Sequence, residues 1–241
     1  MPIRFRFRWI PMCATMAVAA AGIILGQWQT HRAEEKLGIQ HRMEARAKEQ
    51  PLRVLPSGAD DQEFRHVLLE GEFLPQWTLY LENRPHEGAV GFHVLTAFKI
   101  AGAQQVVMVA RGWAPRDAAE RTRVPQPPLP QGMTRIDGVL RRDAGHVLQL
   151  GQADVPRPGA ILQNLDLVAL AAASGLPLAP YVVELRAAPS GVDDGLARDW
   201  PAPSLGIDRH RGYAVQWYAM AAMAIVFFLV TGFRRGRNDK N

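Results

Sequence analysis

Close to the C-terminus, the run Arg209-His210-Arg211-Gly212-Tyr213-Ala214-Val215-Gln216-Trp217-Tyr218 leads directly into an uncharged apolar block that ends at Phe233. It sets a histidine, two tyrosines and a tryptophan at the mouth of a segment able to enter a membrane. The rings suit that boundary, because each can bury its body and keep its polar tip wet. His210 lies just outside it, still within reach of water. Two chemistries are open to such an imidazole: an ordinary interfacial residue, or a ligand for a group held at the bilayer surface.

Elsewhere the residue types offer little chemistry. No Gly-x-Ser-x-Gly elbow, phosphate loop, dinucleotide fingerprint or His-Glu-x-x-His occurs. Of the seven histidines, no two stand at helical spacing within one predicted element. His86 and His93 flank a glycine-containing turn, where polar turn and strand roles are the default over metal binding. Arg111 could bind an acidic ligand group; more often such an arginine pins a loop by capping carbonyls or pairing with a carboxylate. Cys13 is the sole cysteine, so neither a disulfide framework nor a Cys-x-x-Cys site can form. With no nucleophile or dithiol in view, no catalysis is expected.

What must position His210 is a membrane span. Residues 213–233 give about 21 positions without formal charge, enough to cross roughly 30 Å of hydrocarbon. Residues 9–28 supply a second such stretch, about 20 long. A cleaved signal peptide is the competing reading there, with Ala17-Val18-Ala19 resembling a cleavage site. Cutting at that point would strand Ile23, Ile24 and Leu25 on the mature end, so an anchor is preferred.

Charge gives the topology. The 241-residue chain carries 28 basic and 23 acidic residues, a formal net charge of +5. Arg4, Arg6 and Arg8 open it, and Arg234, Arg235, Arg237 and Lys240 close it against Asp239 alone. Removing these seven basic and one acidic residues leaves 21 against 22, so the middle is near neutral. Basic flanks at both ends predict two cytoplasmic termini with the middle across the membrane. A nucleic-acid partner would need a basic patch on that middle part, and none is there. The expected organisation is therefore a cytoplasmic N-terminus (1–8), a first transmembrane helix (9–28), an extracytoplasmic, periplasmic domain (29–212), a second transmembrane helix (213–233) and a cytoplasmic C-terminus (234–241).

Within the domain, residues 29–50 are rich in helix formers and predict that the first helix runs on until Pro51 and Pro56 stop it, with His31 and His41 exposed and Glu34, Glu35 and Lys36 on a solvated face. Residues 57–61 read as a loop. Strands are expected at 67–73 and 77–81, joined around Pro75, then at 92–100 and 106–110 as a hairpin through Ala101-Gly102-Ala103. The unbroken apolar run at 106–110 suits a strand buried on both faces. Its exit, Arg111-Gly112-Trp113-Ala114-Pro115, reads as a glycine turn beside a large ring. Residues 124–130, with four prolines, read as an extended linker, 136–140 as a strand and 147–150 as a short edge. A helix over 166–174 has Asn164 or Asp166 as N-cap, Gly175 just past its end, and Leu167, Val168, Leu170 and Ala171 as its packing face. A strand at 181–185 and a tether at 188–204 complete the domain. The fold class is α+β: two transmembrane helices flanking one mostly antiparallel-sheet extracytoplasmic domain with at least one packed helix.

These patches together resemble the surfeit locus protein 1 family, assembly factors for cytochrome c oxidase. The resemblance is carried by Leu25-Gly26-Gln27-Trp28-Gln29 with Arg32 and Lys36; by Arg65-His66-Val67 with Gly71 and Phe73; by Gly91-Phe92-His93-Val94-Leu95-Thr96 with Phe98; by Arg111-Gly112-Trp113-Ala114-Pro115; and by His210, Gly212, Tyr213, Ala214, Gln216, Trp217 and Tyr218. It spans nearly the whole chain, and the order and spacing of the patches make it strong. Ala97 departs from a common proline, and Ala110 from an asparagine that often precedes Arg-Gly.

The resemblance implies a helper that promotes insertion of haem a into the catalytic subunit of a haem-copper oxidase. His210 matches a proposed axial ligand of the haem iron, and Trp217 a tryptophan of the same site, with Tyr213 nearby. Arg209 and Arg211 are placed either to pair with the propionates or to snorkel at the interface. Trp28, Arg32, Gly91, Arg111, Gly112 and Trp113 are motif residues with structural roles. Haem a synthase and other oxidase assembly factors are further implied partners, besides the lipid bilayer. A membrane-anchored scaffold that stabilises assembly intermediates without haem is the alternative. The near-immediate start of the first span, without an Arg/Ser-rich presequence, points to a bacterial inner membrane.

Overall fold

In the computed structural model the described residues are 3–5, 8–56, 61–120, 122–149, 154–189, 192–200 and 206–235, with side chains described from residue 8 to residue 232. Arg6, Arg237, Asp239, Lys240, most of the 57–61 loop, Leu150 and positions 190, 191 and 201–204 of the expected tether lie outside them. The chain divides into two compact units, residues 1–42 with 203–241, and residues 43–202.

In the first unit, α1 (Trp9–Ala47) is one continuous 39-residue helix, running past the apolar stretch as its helix-forming composition requires. The second long helix is α3 (Ile207–Gly232). Both are long and apolar enough to cross a membrane. Their outer ends are joined by a two-stranded antiparallel ribbon, β1 (Ile3–Phe5) with β8 (Phe233–Arg235).

The second unit is built on β2 (His66–His86), β3 (Ala89–Ile100), β4 (Val106–Pro115), β5 (Thr134–Arg141) and β7 (Leu178–Leu185), with short β6 (Ile161–Leu162) and α2 (Leu167–Ser174). The neighbours run β3-β4-β7-β5-β2, and β2 pairs again with β3, so the sheet closes into a five-stranded barrel. β5 returns to lie beside β2, giving the Greek-key order. Among the named strands, β4–β7 and the short β2–β6 contact are parallel.

Closure depends on the length of β2. Its first part, Gly71 included, pairs with β5, and from Gly71 to His86 it pairs with β3. Two separate strands around Pro75 were expected; instead Pro75, Gln76 and Trp77 bulge out between Leu74 and Thr78 while both flanks stay paired to β3. A bulge is where a sheet tolerates proline.

Alternate residues fill the barrel: Val107 and Val109 of β4 point inward with Phe73, Phe98, Tyr181 and Val183. Val106, Met108 and Ala110 lie under an outer layer that includes Leu162 of β6 and Leu170 of α2. The apolar run of β4 is thus buried on both sides for the reason its sequence suggested. Asp166 caps α2, its carboxylate accepting from the Val168 and Ala169 amides, and Gly175 ends it at φ 67°. The face of α2 is narrower than its spacing predicts: Leu170 is buried, whereas Val168 is 80% exposed. The expected edge at 147–150 is not a strand at 147–149; the Val147 amide donates to Asn164 Oδ1, and the edge role passes to β6.

His93 sits half-buried on β3 with its ring edge-on to Trp200 at 5.1 Å. Burial first, then the charges of Arg84 and His86, pushes its pKa down from 6.5 to about 4. The unfolded chain therefore binds a proton that the folded chain refuses. Stability from this residue is complete above about pH 6.5 and falls as the pH drops toward 4, by about 2 kcal/mol at pH 5. A His93→Gln protein should lose that part of the acid sensitivity, read as a smaller drop in Tm between pH 7.5 and pH 5; an unchanged drop would contradict the assignment.

Candidate functional site

The predicted site begins in the first turn of α3. His210, half-buried, has Nδ1 2.7 Å from Oε1 of Gln29 on α1. An amide oxygen can only accept, so Nδ1–H is the donor, and no partner for Nε2 stands among the described residues. This fixes both the tautomer and the tilt of the ring. Gln29 is the partner that sequence reasoning left unassigned: it stood within a motif, but nothing in a linear sequence ties position 29 to position 210.

Small residues bring the two helices close enough for that contact. Ala19, Gly22, Gly26 and Ala33 are the buried positions of α1, and Ala214 and Ala221 lie buried on α3. A Cβ on Gly22 would come within 2.9 Å of both the Ala221 Cβ and the Trp217 carbonyl oxygen, and one on Gly26 within 2.5 Å of the Tyr218 ring. The Gly22-x-x-x-Gly26 spacing was the missed signal for this seam. Gly22→Leu should push the helices apart and cost about 1–3 kcal/mol. The check is Tm in detergent beside Gly38→Leu, where an added Cβ meets nothing within 4 Å; equal melting of the two would refute a tight seam.

The remaining predicted residues divide between flanks. Tyr213, 45% exposed, and half-buried Trp217 follow His210 at i+3 and i+7, which puts all three on one face of α3. Arg211 instead lines a groove of about 390 Å³ with Thr30, Glu34, Leu37, Val215 and Tyr218, and His210 is not among its lining residues. Thr30 Oγ1 and the Tyr218 hydroxyl lie 3.4 Å apart there. Arg209 is exposed. On α1, Trp28 is half exposed and Arg32 pairs with Glu35 at 2.7 Å.

Gly91, Arg111, Gly112 and Trp113 belong to the barrel, where they tie loops to strands. The turn expected at Arg111-Gly112 is a β-bulge: β4 continues to Pro115, and Arg111 is the extra residue between Ala110, opposite Leu95, and Gly112, opposite Val94. The bulge turns Arg111 into a fully buried position, where its guanidinium donates to the carbonyls of Pro127 and Pro128 and to Asp194 at 3.2 Å. Arg198 also pairs with Asp194. Burial lowers the Arg111 pKa, and Asp194 opposes that shift. Loop pinning is thus the role that Arg111 takes.

Gly112 has φ 154°, and a Cβ there would lie 2.6 Å from Leu196 Cβ. Trp113 exchanges two backbone hydrogen bonds with Ala197, and its indole N–H donates to the Arg84 carbonyl. Gly91 gives the Trp113 ring its room, since a Cβ would fall 2.6 Å from it. The described part of the expected tether, 192–200, is consequently a packed layer of the barrel.

Comparison with known proteins finds relatives along most of the chain. The SURF1 family model matches residues 16–222, which include every predicted site residue. A SURF1-like protein of Monosiga brevicollis is 23% identical over 245 residues, 93% of this chain and 88% of that protein. The cytochrome oxidase assembly protein SHY1 of Saccharomyces cerevisiae is 27% identical over 101 residues, 40% of this chain and 26% of that protein.

Proposed function

Since the chain belongs to the SURF1 family, we propose that it is a membrane-anchored assembly factor for a haem-copper (cytochrome c) oxidase, one that binds haem a and assists its insertion into the catalytic subunit. The name of its yeast relative supports the oxidase part. The haem part rests on one observation, the imidazole of His210 held by Gln29 through Nδ1 with no partner for Nε2 among the described residues. An axial ligand needs that state, because a partner on the second nitrogen fixes the tautomer and raises the basicity of the first. Tyr213 and Trp217 on the same face offer ring surface to a flat, amphipathic cargo. The chain's own part is to bind, orient and release, and no catalytic step is assigned to it.

The matching topology has both helices crossing a bacterial inner membrane, both termini cytoplasmic and the barrel periplasmic. Basic residues at both ends and the β1–β8 ribbon support termini on one side. Partners in this reading are the oxidase catalytic subunit, haem a synthase and other assembly factors. A scaffold that holds oxidase intermediates without pigment is favoured by a different observation: Arg211 lines the neighbouring groove, away from His210, leaving fewer cations for the propionates.

The test is an absorption spectrum of detergent-purified protein from cells that make haem a. A haem band that co-purifies supports the carrier; normal association with oxidase subunits and no band supports the scaffold.

A further inference from the structure

We propose that His86, Glu87 and Asp199, at the rim of the barrel, form a binding site for one divalent transition-metal ion of the zinc and copper class. Each offers a ligand atom, and the three atoms lie within 4.8 Å of one another. The spacing of the His86–Asp199 pair is informative. His86 Nδ1 and Asp199 Oδ2 are 3.5 Å apart, longer than the 2.7–3.2 Å usual for an N–H···O bond. Two ligands at about 2.0–2.1 Å in a tetrahedron about one ion stand about 3.4 Å from each other. The pair is thus spaced as ligands of a common ion more closely than as partners of each other.

The fold holds these groups from three directions. Glu87 (φ 45°) and Gly88 (φ 82°) form the two-residue turn between β2 and β3, with the left-handed backbone of a tight hairpin. This fixes His86 and Glu87 side by side at its end. The ring of His86 lies 4.6 Å from that of Trp113, itself tied to Arg84 and Ala197. Asp199 sits between Ala197, bonded to Trp113, and Trp200, whose indole donates to the Leu185 carbonyl. One imidazole and two carboxylates suit zinc or copper better than calcium or magnesium, which prefer all-oxygen sites. The side chain of His86 is 18% exposed and that of Asp199 65%, so solvent reaches the site and a water can complete the coordination.

The experiment uses the full chain in detergent, titrated with zinc ion alone by calorimetry, and with copper(II) followed by tryptophan emission. Saturable binding of one equivalent is expected, with quenching that shrinks in Trp113→Phe because that ring touches the ligand. Asp199→Asn, isosteric and exposed, and His86→Ala should each weaken zinc binding about tenfold or more. His66→Ala, at a histidine paired with Asp137, should leave it unchanged. No saturable binding by the unaltered protein, or binding that survives both Asp199→Asn and His86→Ala, would overturn the proposal.

Discussion

His210→Ala protein, purified from cells that make haem a, is expected to carry at least about tenfold less pigment than the unaltered protein, and oxidase maturation should fall with it. The reasoning starts at the nitrogen atoms. With Nδ1–H donated to Gln29 across 2.7 Å, only Nε2 can reach an iron, and alanine removes both nitrogens. Gln29→Leu tests the same geometry from the other helix. It keeps the imidazole but frees its tautomer and tilt, so pigment affinity should drop by about ten- to a hundredfold while a shifted spectrum remains. A scaffold would respond differently, retaining oxidase association in both variants with no pigment to lose. Full pigment loading in His210→Ala would remove His210 from the haem reading and leave the family-level function standing.

The largest loss of stability is expected at Arg111. Arg111→Ala takes one of two arginines from the buried Asp194, with Arg198 remaining, the Arg111 and Asp194 side chains both being 1% exposed, and frees the carbonyls of Pro127 and Pro128. Breaking a buried pair in this way costs about 3–5 kcal/mol, which for a chain of this size lowers Tm by about 10 °C. Asp194→Ala should cost a comparable amount, because it leaves the buried Arg111 guanidinium with only the two proline carbonyls. The double variant should cost less than the sum, since each change removes the same contact. Arg135→Ala sets the scale: its ion pair with Glu70 is 60% and 58% exposed, and its loss should leave Tm nearly unchanged. Equal melting of Arg111→Ala and Arg135→Ala would refute the pinning role.

These two sites differ in how they could be found. Arg111 was legible as a loop-pinning residue from its type and its place after a buried strand, but its partner was not. Asp194 lies 83 residues onward, in a segment whose proline, glycine and aspartate content reads as a tether. The bulge at Arg111, the left-handed Gly112 and the Trp113–Ala197 bridge fold that segment onto β4. The missed continuity of β2 has a similar cause, since a proline ends a strand by local rules unless both its flanks find the same neighbour.

By itself the sequence determined what depends on composition along a line. The two uncharged stretches had to be long helices, β4 had to be buried on both faces, and α2 had to run from Asp166 to Gly175, because helix length, strand apolarity and end caps are local properties. Tertiary structure alone decided the pairings. Closure of five strands into a barrel, Gln29 beside His210, Arg211 on the neighbouring groove and Asp199 beside His86 all join residues far apart in the chain. Which distant groups meet is set by strand register and by how closely glycines let backbones approach, and neither quantity is written at any single position.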